Sequence, residues 1–272
     1  MLDNISLGRY VDTGSLLHRT DPRIKVILYI VYLVTVFIVN SPPALAALFV
    51  VTLIQLIVAK IPLDVTWSTL KPVLPLALFI LILNVFTIKQ GDVLWTWKFL
   101  TITDEGTSKA VLMALRLVFL ILSTSVLLTL TTTPLKIADA LESLLSPLKV
   151  FHVPVHEASM MMSIALRFIP TLIEETDKIM KAQVSRGANY DTGSFISRLK
   201  GYVTVLIPLF VSSFKRAEDL AVAMDARCYR GDRKRTKLNP LKITGKDIAV
   251  FIAFLAGAVL LILIQAFYAR LI

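Results

Sequence analysis

Three groups of residues in this chain have types and spacings that could do chemistry. His152 and His156 stand four apart beside Glu157, a spacing that puts two imidazoles on one helix face. Pro154 lies between them and no third ligand is obvious, whereas zinc sites usually take three protein ligands. The pair therefore reads as histidines at a helix start, and no metal is expected. Gly245-Lys246 ends like a phosphate-binding loop, but Asp247 follows it and Pro240 occupies the place of the first glycine, so no ATP is held by that route. The third group is a pair of arginines in matched endings, Ala182-Gln183-Val184-Ser185-Arg186-Gly187 and Ala223-Met224-Asp225-Ala226-Arg227-Cys228. A single arginine near a helix C-terminus is accounted for by the macrodipole. Two in the same local sequence point to a function, because a planar guanidinium fork holds carboxylates and carbonyls in fixed geometry. Nothing marks a nucleophile with its base, so neither a catalytic residue nor a cofactor is expected.

Two long amphipathic helices carry these arginines. One begins near Pro154 and runs to Arg186-Gly187, with Met162, Leu166, Ile169, Ile173 and Met180 as its apolar seam and Arg167, Glu174, Glu175, Lys178 and Lys181 around it. The other runs from Phe195 to Arg230-Gly231, with Phe210, Ser213, Ala217, Leu220 and Met224 as its seam. Small residues in mid-seam let helix backbones approach, so the two arms are expected to cross at Ser213 and Ala217. Pro170 and Pro208 lack an N–H, and each should bend its helix. A shorter helix from Pro134 to Pro147 precedes them, so 134–246 is expected to form one cytoplasmic domain.

The remainder of the chain is hydrophobic. Of 272 residues, 56% are hydrophobic and 18% charged, with a mean hydropathy of +0.74; soluble domains have about 25% charged residues. The chain reads as an all-α membrane protein with about five transmembrane helices. Four lie in 24–133 (Ile24–Val39, Pro43–Ala59, Pro72–Ile88 and Ala110–Thr131), and Ile248–Ala269 in 247–272 is the fifth. In the first, Lys25 is expected to snorkel to the interface and lengthen a short span; Arg116 in the fourth is expected to snorkel outward. Ala249, Ala253 and Gly257 make a small-residue stripe for close helix packing, within the chain or against another membrane protein.

Basic residues fix the orientation: residues 1–23 and 134–246 are cytoplasmic and the C-terminus lies outside, with Trp95 and Trp97 at the outer interface. The net charge of +10 is then a loop bias and not a nucleic-acid footprint. The run Arg230, Arg233, Lys234, Arg235 and Lys237 reads as a contact for anionic lipid headgroups. No removable signal peptide is expected, since residues 1–23 carry Asp3, Asp12 and Asp21. None of the five segments contains Asp, Glu or His, which argues against a carrier coupled to protons or sodium through this chain.

The opening Asp12-Thr13-Gly14-Ser15-Leu16-Leu17-His18-Arg19-Thr20-Asp21-Pro22-Arg23-Ile24-Lys25, the proline-bearing helices and both arginine endings together resemble the transmembrane (T) component of energy-coupling factor (ECF) transporters, over essentially the whole chain. The resemblance implies a non-catalytic subunit of a prokaryotic ABC-type importer in the cell membrane. It would join two cytoplasmic ATP-binding subunits, which hold the ATP and Mg, to a membrane-embedded substrate-binding S component for vitamin or micronutrient uptake. It also implies an L-shaped fold with crossed coupling helices, and ATPase docking through Ser185-Arg186-Gly187 and Ala226-Arg227-Cys228. Cys228 departs from the small residue usual at its position. A dedicated cobalt or nickel importer is the alternative in the same class, and a membrane scaffold without ATPase coupling is the alternative outside it.

Overall fold

Prolines mark most of the helix starts, where a missing N–H costs nothing and the fixed φ suits the first turn. The computed structural model describes residues 10–88, 92–97, 100–188, 195–229, 231 and 241–271. The described chain forms α1 (Leu16–Arg19), α2 (Pro22–Ile38), α3 (Pro42–Ala59), α4 (Leu63–Leu70), α5 (Leu74–Thr87), β1 (Val93–Trp97), β2 (Leu100–Thr103), α6 (Asp104–Thr124), α7 (Pro134–Leu145), α8 (Val155–Ser185), α9 (Phe195–Ala226) and α10 (Gly245–Leu271). It divides into two compact units, Gly8–Ala140 with Leu241–Ile272, and Met1–Leu7 with Leu141–Pro240.

In the first unit, α6 continues through a π-helical segment, Ser125–Leu130, to make one apolar helix. By length and composition α3, Asp104–Leu130 and α10 can each cross a bilayer. The pair α4–α5, bent by 48°, makes a fourth if it is one span. Five spans were expected; among the described residues three helices, or four with the bent pair, are long and apolar enough by these two measures. The difference is α2, whose 17 residues rise only about 26 Å, against a hydrocarbon core of about 30 Å. Lys25 does not snorkel to lengthen it. It is 1% exposed, and its Nζ donates to Thr131 O (2.9 Å) and Thr132 Oγ1 (3.1 Å). A buried ammonium whose donors are all satisfied has no reason to seek the interface.

Arg116 carries its guanidinium to the turn between α2 and α3. Its Nη2 donates to Val39 O (2.5 Å) and Asn40 Oδ1 (2.6 Å), closing the C-terminal end of α2. Gln265 Oε1 of α10 accepts from Asn40 N and Ser41 N in the same turn. A further feature is the connection between α5 and α6. It contains an antiparallel hairpin of β1 and β2, favoured by the β-branched and aromatic residues of Val93–Trp97. Thr103 then caps α6: its Oγ1 accepts from Gly106 N and donates to Ile88 O. A Cβ at Gly106 would stand 2.5 Å from Ile88 O, so α5 and α6 meet there only through glycine.

The core of this unit joins α2, α3, α6 and α10 through Tyr32, Val36, Leu48, Phe119 and Leu261. A second cluster, Leu17, Ala59, Ile61, Val126, Leu127 and Leu130, packs α1 against the ends of α3 and the π-helical segment. Polar side chains inside it are paired across helices. Tyr32 Oη donates to Phe119 O and meets Thr52 Oγ1 at 3.0 Å, and Ser123 Oγ donates to Gln55 Oε1 at 2.7 Å.

In the second unit, a 3-10 turn at Ser146–Phe151 follows α7, and His152 closes it at φ 59°. The two long helices α8 and α9 follow, 31 and 32 residues, with Pro170 inside the first and Pro208 inside the second. They pack against each other.

Candidate coupling site at the ends of the long helices

The arginine endings fold alike. At the end of α8, Gly187 N donates to Val184 O (2.9 Å) and Ala188 N to Gln183 O (3.0 Å). At the end of α9, Cys228 N donates to Asp225 O (2.9 Å) and Tyr229 N to Met224 O (3.0 Å). These are two copies of the Schellman stop, with the arginine at the cap and the next residue left-handed. That next residue is Gly187 at φ 89° and Cys228 at φ 55°. Glycine adopts this region freely, whereas a side chain there costs about 1–2 kcal/mol. The Cys228 departure noted in the sequence thus leaves the backbone of the ending unchanged and adds strain to it.

Arg186 and Arg227 are both exposed, and among the described residues neither guanidinium has a hydrogen bond or ion pair. Each projects from the last turn of a long helix with its donors unpaired, which suits capture of a carboxylate or of backbone carbonyls on another surface. Ser185 Oγ is turned back to Lys181 O and leaves the tip to the arginine. Along α8, the Lys181 ammonium bonds Asp177 at 2.6 Å and holds that carboxyl below the usual carboxylate range.

Between the long helices lies a groove of about 260 Å³, lined by Ile164, Phe168 and Leu172 of α8 and by Ser213, Ala217, Leu220 and Met224 of α9. Four of the five seam residues expected on α9 line it; Phe210 is instead 61% exposed. On α8 the facing residues are Ile164, Phe168 and Leu172 rather than the expected seam at Met162, Leu166, Ile169, Ile173 and Met180. That helix is apolar on several sides through this stretch, so periodicity alone does not choose the face.

Sequence reasoning missed the polar tie across the pair. Glu175 of α8 accepts from Ser212 Oγ and from Arg216 Nη2 of α9, the latter at 2.6 Å. Its signal was present as the mixed-charge clusters at 174–181 and 215–219. His156 is similarly engaged within this unit, its Nδ1 meeting Glu142 Oε1 at 2.9 Å, while Ser159 Oγ donates to Glu142 Oε2. His152 is exposed, so the two histidines do not converge.

In α10, Ala249 and Ala253 are exposed, and a Cβ on Gly257 would meet nothing within 4 Å. Among the described residues the small-residue stripe therefore makes no close contact; Ala258, Leu261 and Gln265 face the other helices instead. The basic run Arg230, Arg233, Lys234, Arg235 and Lys237, and the side chains of Trp95 and Trp97, fall outside the described residues.

The family described as "Cobalt transport protein" (CbiQ) matches residues 13–238. A protein of Ruminiclostridium cellulolyticum named energy-coupling factor transporter transmembrane protein EcfT is 50% identical, over 92% of this chain and 93% of its own length. Proteins of the same name from Clostridium kluyveri and Bacillus subtilis are 48% and 44% identical, over 96% and 98% of this chain and 95% and 100% of theirs. This chain belongs to the ECF transporter T-component family. As a member of that family it is an all-α membrane protein, and Schellman-stopped arginine tips on two paired helices are features of this T component.

Proposed function

We propose that this T component is the energy-coupling subunit of an ECF-type ABC importer. It transmits the ATP-driven motion of two cytoplasmic ATPase subunits to a membrane-embedded S component that captures a vitamin or other micronutrient. The observation that carries this reading is the pair of matching helix ends, each presenting one arginine, Arg186 and Arg227, that has no hydrogen bond or ion pair among the described residues. Two like tips suit two like subunits. ATP and Mg sit in those subunits, and this chain itself catalyses nothing and needs no cofactor. Residues 1–23 and the arms lie on the cytoplasmic side, beside anionic lipid headgroups.

In this mechanism, closure of the ATPases on ATP moves Ser185-Arg186-Gly187 and Ala226-Arg227-Cys228. The movement passes down α8 and α9, bent at Pro170 and Pro208 and braced where Ser213 and Ala217 approach α8. The exposed apolar face of α9, with Ile207, Phe210, Val211 and Phe214 at 60–73% exposure, supplies a surface for the S component. Ala249, Ala253 and Gly257, open on α10, supply a second close-packing surface in the membrane. A dedicated cobalt importer is the second reading, favoured by the description of the matching family.

The test is to purify the tagged chain from its own host in mild detergent and identify what comes with it by mass spectrometry. Two ATPases bearing nucleotide-binding motifs and one or more small hydrophobic proteins are expected. Several alternating small partners mean a shared T component, and a single one means dedicated use. The chain alone, or with unrelated proteins, would contradict the reading.

A further inference from the structure

The opening segment has no part in the role given to Arg186 and Arg227, yet it reaches the ends of several helices in its own unit. Thr13 Oγ1 donates to Ala59 O at the end of α3, and Val11 N donates to Leu130 O at the end of the π-helical segment. Lys25 Nζ donates to Thr131 O, Thr131 Oγ1 and Thr132 Oγ1, so all three of its protons meet neutral oxygens. This is a helix C-terminus, where the backbone dipole favours a cation.

One turn earlier, Asp21 N donates to Asp247 Oδ1 at 3.1 Å, and Asp247 Oδ2 accepts from Thr244 N at 2.8 Å. That carboxylate therefore serves the N-termini of α2 and α10 together, where the dipole favours an anion. Asp21, Lys25, Thr131, Thr132 and Asp247 are all 1–5% exposed. Asp21, the cap of α2, contributes its backbone N–H and Lys25 its side chain, so both contacts fall at the first turn of α2.

These contacts lie inside the membrane unit, on the segments that lead to and from the 141–240 unit. The chain leaves the membrane unit between Ala140 and Leu141, through the part of α7 that follows Thr131 and Thr132, and returns between Pro240 and Leu241, ahead of Asp247. We infer that Asp21–Lys25 is a shared anchor that pins both connections of the 141–240 unit to a single turn of α2. Motion delivered along either connection then turns the membrane helices as a body instead of fraying their ends. Lys25 and Asp247 are positioning residues for coupling, and the inference rests on the coupling function proposed above.

The test uses Lys25→Met and Asp247→Ala, each in the complex as purified from its own host. Hydrogen–deuterium exchange is followed over residues 120–135 and 244–251, without nucleotide and with ATP plus orthovanadate. Exchange in the wild-type complex is expected to be slow in both states. In either variant the ATPases stay attached, and the stretch that loses its contact, 120–135 in Lys25→Met and 244–251 in Asp247→Ala, exchanges about tenfold faster with nucleotide trapped, the scale set by one lost buried hydrogen-bond partner. Acceleration that is equal in the two states would reduce the contacts to fold stability and overturn the anchor, as would unchanged exchange. If Lys25→Met does not accumulate, Asp247→Ala decides, since it leaves the Lys25 contacts in place. Absence of ATPases from the wild-type preparation would defeat the coupling reading itself, and that is seen before any variant is made.

Discussion

In the membrane unit Leu28, Tyr32, Val36 and Leu48 are at most 1% exposed, whereas in the 141–240 unit Val155 and Val205 are the only apolar side chains below a tenth exposed among the described residues. Exposed apolar side chains on α3 or α10 need no explanation, because lipid covers them. Those on α9 do, because that helix carries charge clusters and is not among the helices apolar enough to cross a bilayer. The membrane unit closes its core within the chain. Among the described residues the long helices meet along one groove and the Glu175 tie, and they carry an exposed apolar face on α9 and two exposed arginine tips. On the function proposed above, the contrast separates a part whose core closes within the chain from a part whose exposed surfaces partners would cover.

The strongest way to break this comparison is to remove both tips. Arg186→Ala with Arg227→Ala should cost the ATPases about 2–5 kcal/mol of attachment, as truncation of buried charged anchors does. Copurification should fall at least tenfold while the chain's own thermal unfolding is unchanged; full attachment and full uptake would refute the assignment. Next in size is a matched pair of truncations. Leu48→Ala should destabilise the purified chain by about 2 kcal/mol through the cavity it opens. Phe214→Ala, at a side chain 73% exposed, should leave unfolding untouched and instead weaken retention of the small hydrophobic partner. Equal effects of the two on unfolding would erase the distinction.

Smaller still is Glu175→Gln, which takes the charge from the Arg216 pair. Because that pair is partly solvated, the loss should be about 1 kcal/mol, read as earlier unfolding of the long helices by circular dichroism. The smallest effect is a gain. Cys228→Gly relieves a left-handed residue and should stabilise the end of α9 by about 1 kcal/mol, without altering ATPase attachment.

Much of this was legible in the sequence because the information was local. The bounds of α7, α8 and α9 follow from Pro134, Pro154 and the arginine endings, and the four-residue spacing of small residues on α9 chose the groove-lining face. What was not legible is what joins distant positions. Lys25 meets Thr131 across 106 residues and Asp21 meets Asp247 across 226, and no periodicity records either pairing. For the same reason Lys25 looked like a snorkelling residue. The left-handed Cys228 was hidden for a different reason: at Gly187 the residue type announces the conformation, and at Cys228 only the surrounding hydrogen bonds impose it. The hairpin at 93–103 was obscured by the charges around it.

The sole cysteine of the chain sits on the tip of α9, exposed, and offers the most direct test of the account. A photoactivatable cross-linker placed on Cys228 in the native complex, followed by mass spectrometry of the adducts, reports what that tip touches. The account predicts an adduct with a nucleotide-binding ATPase subunit, at a groove on its surface. Adducts confined to lipid, to the chain's own helices or to unrelated proteins would contradict it.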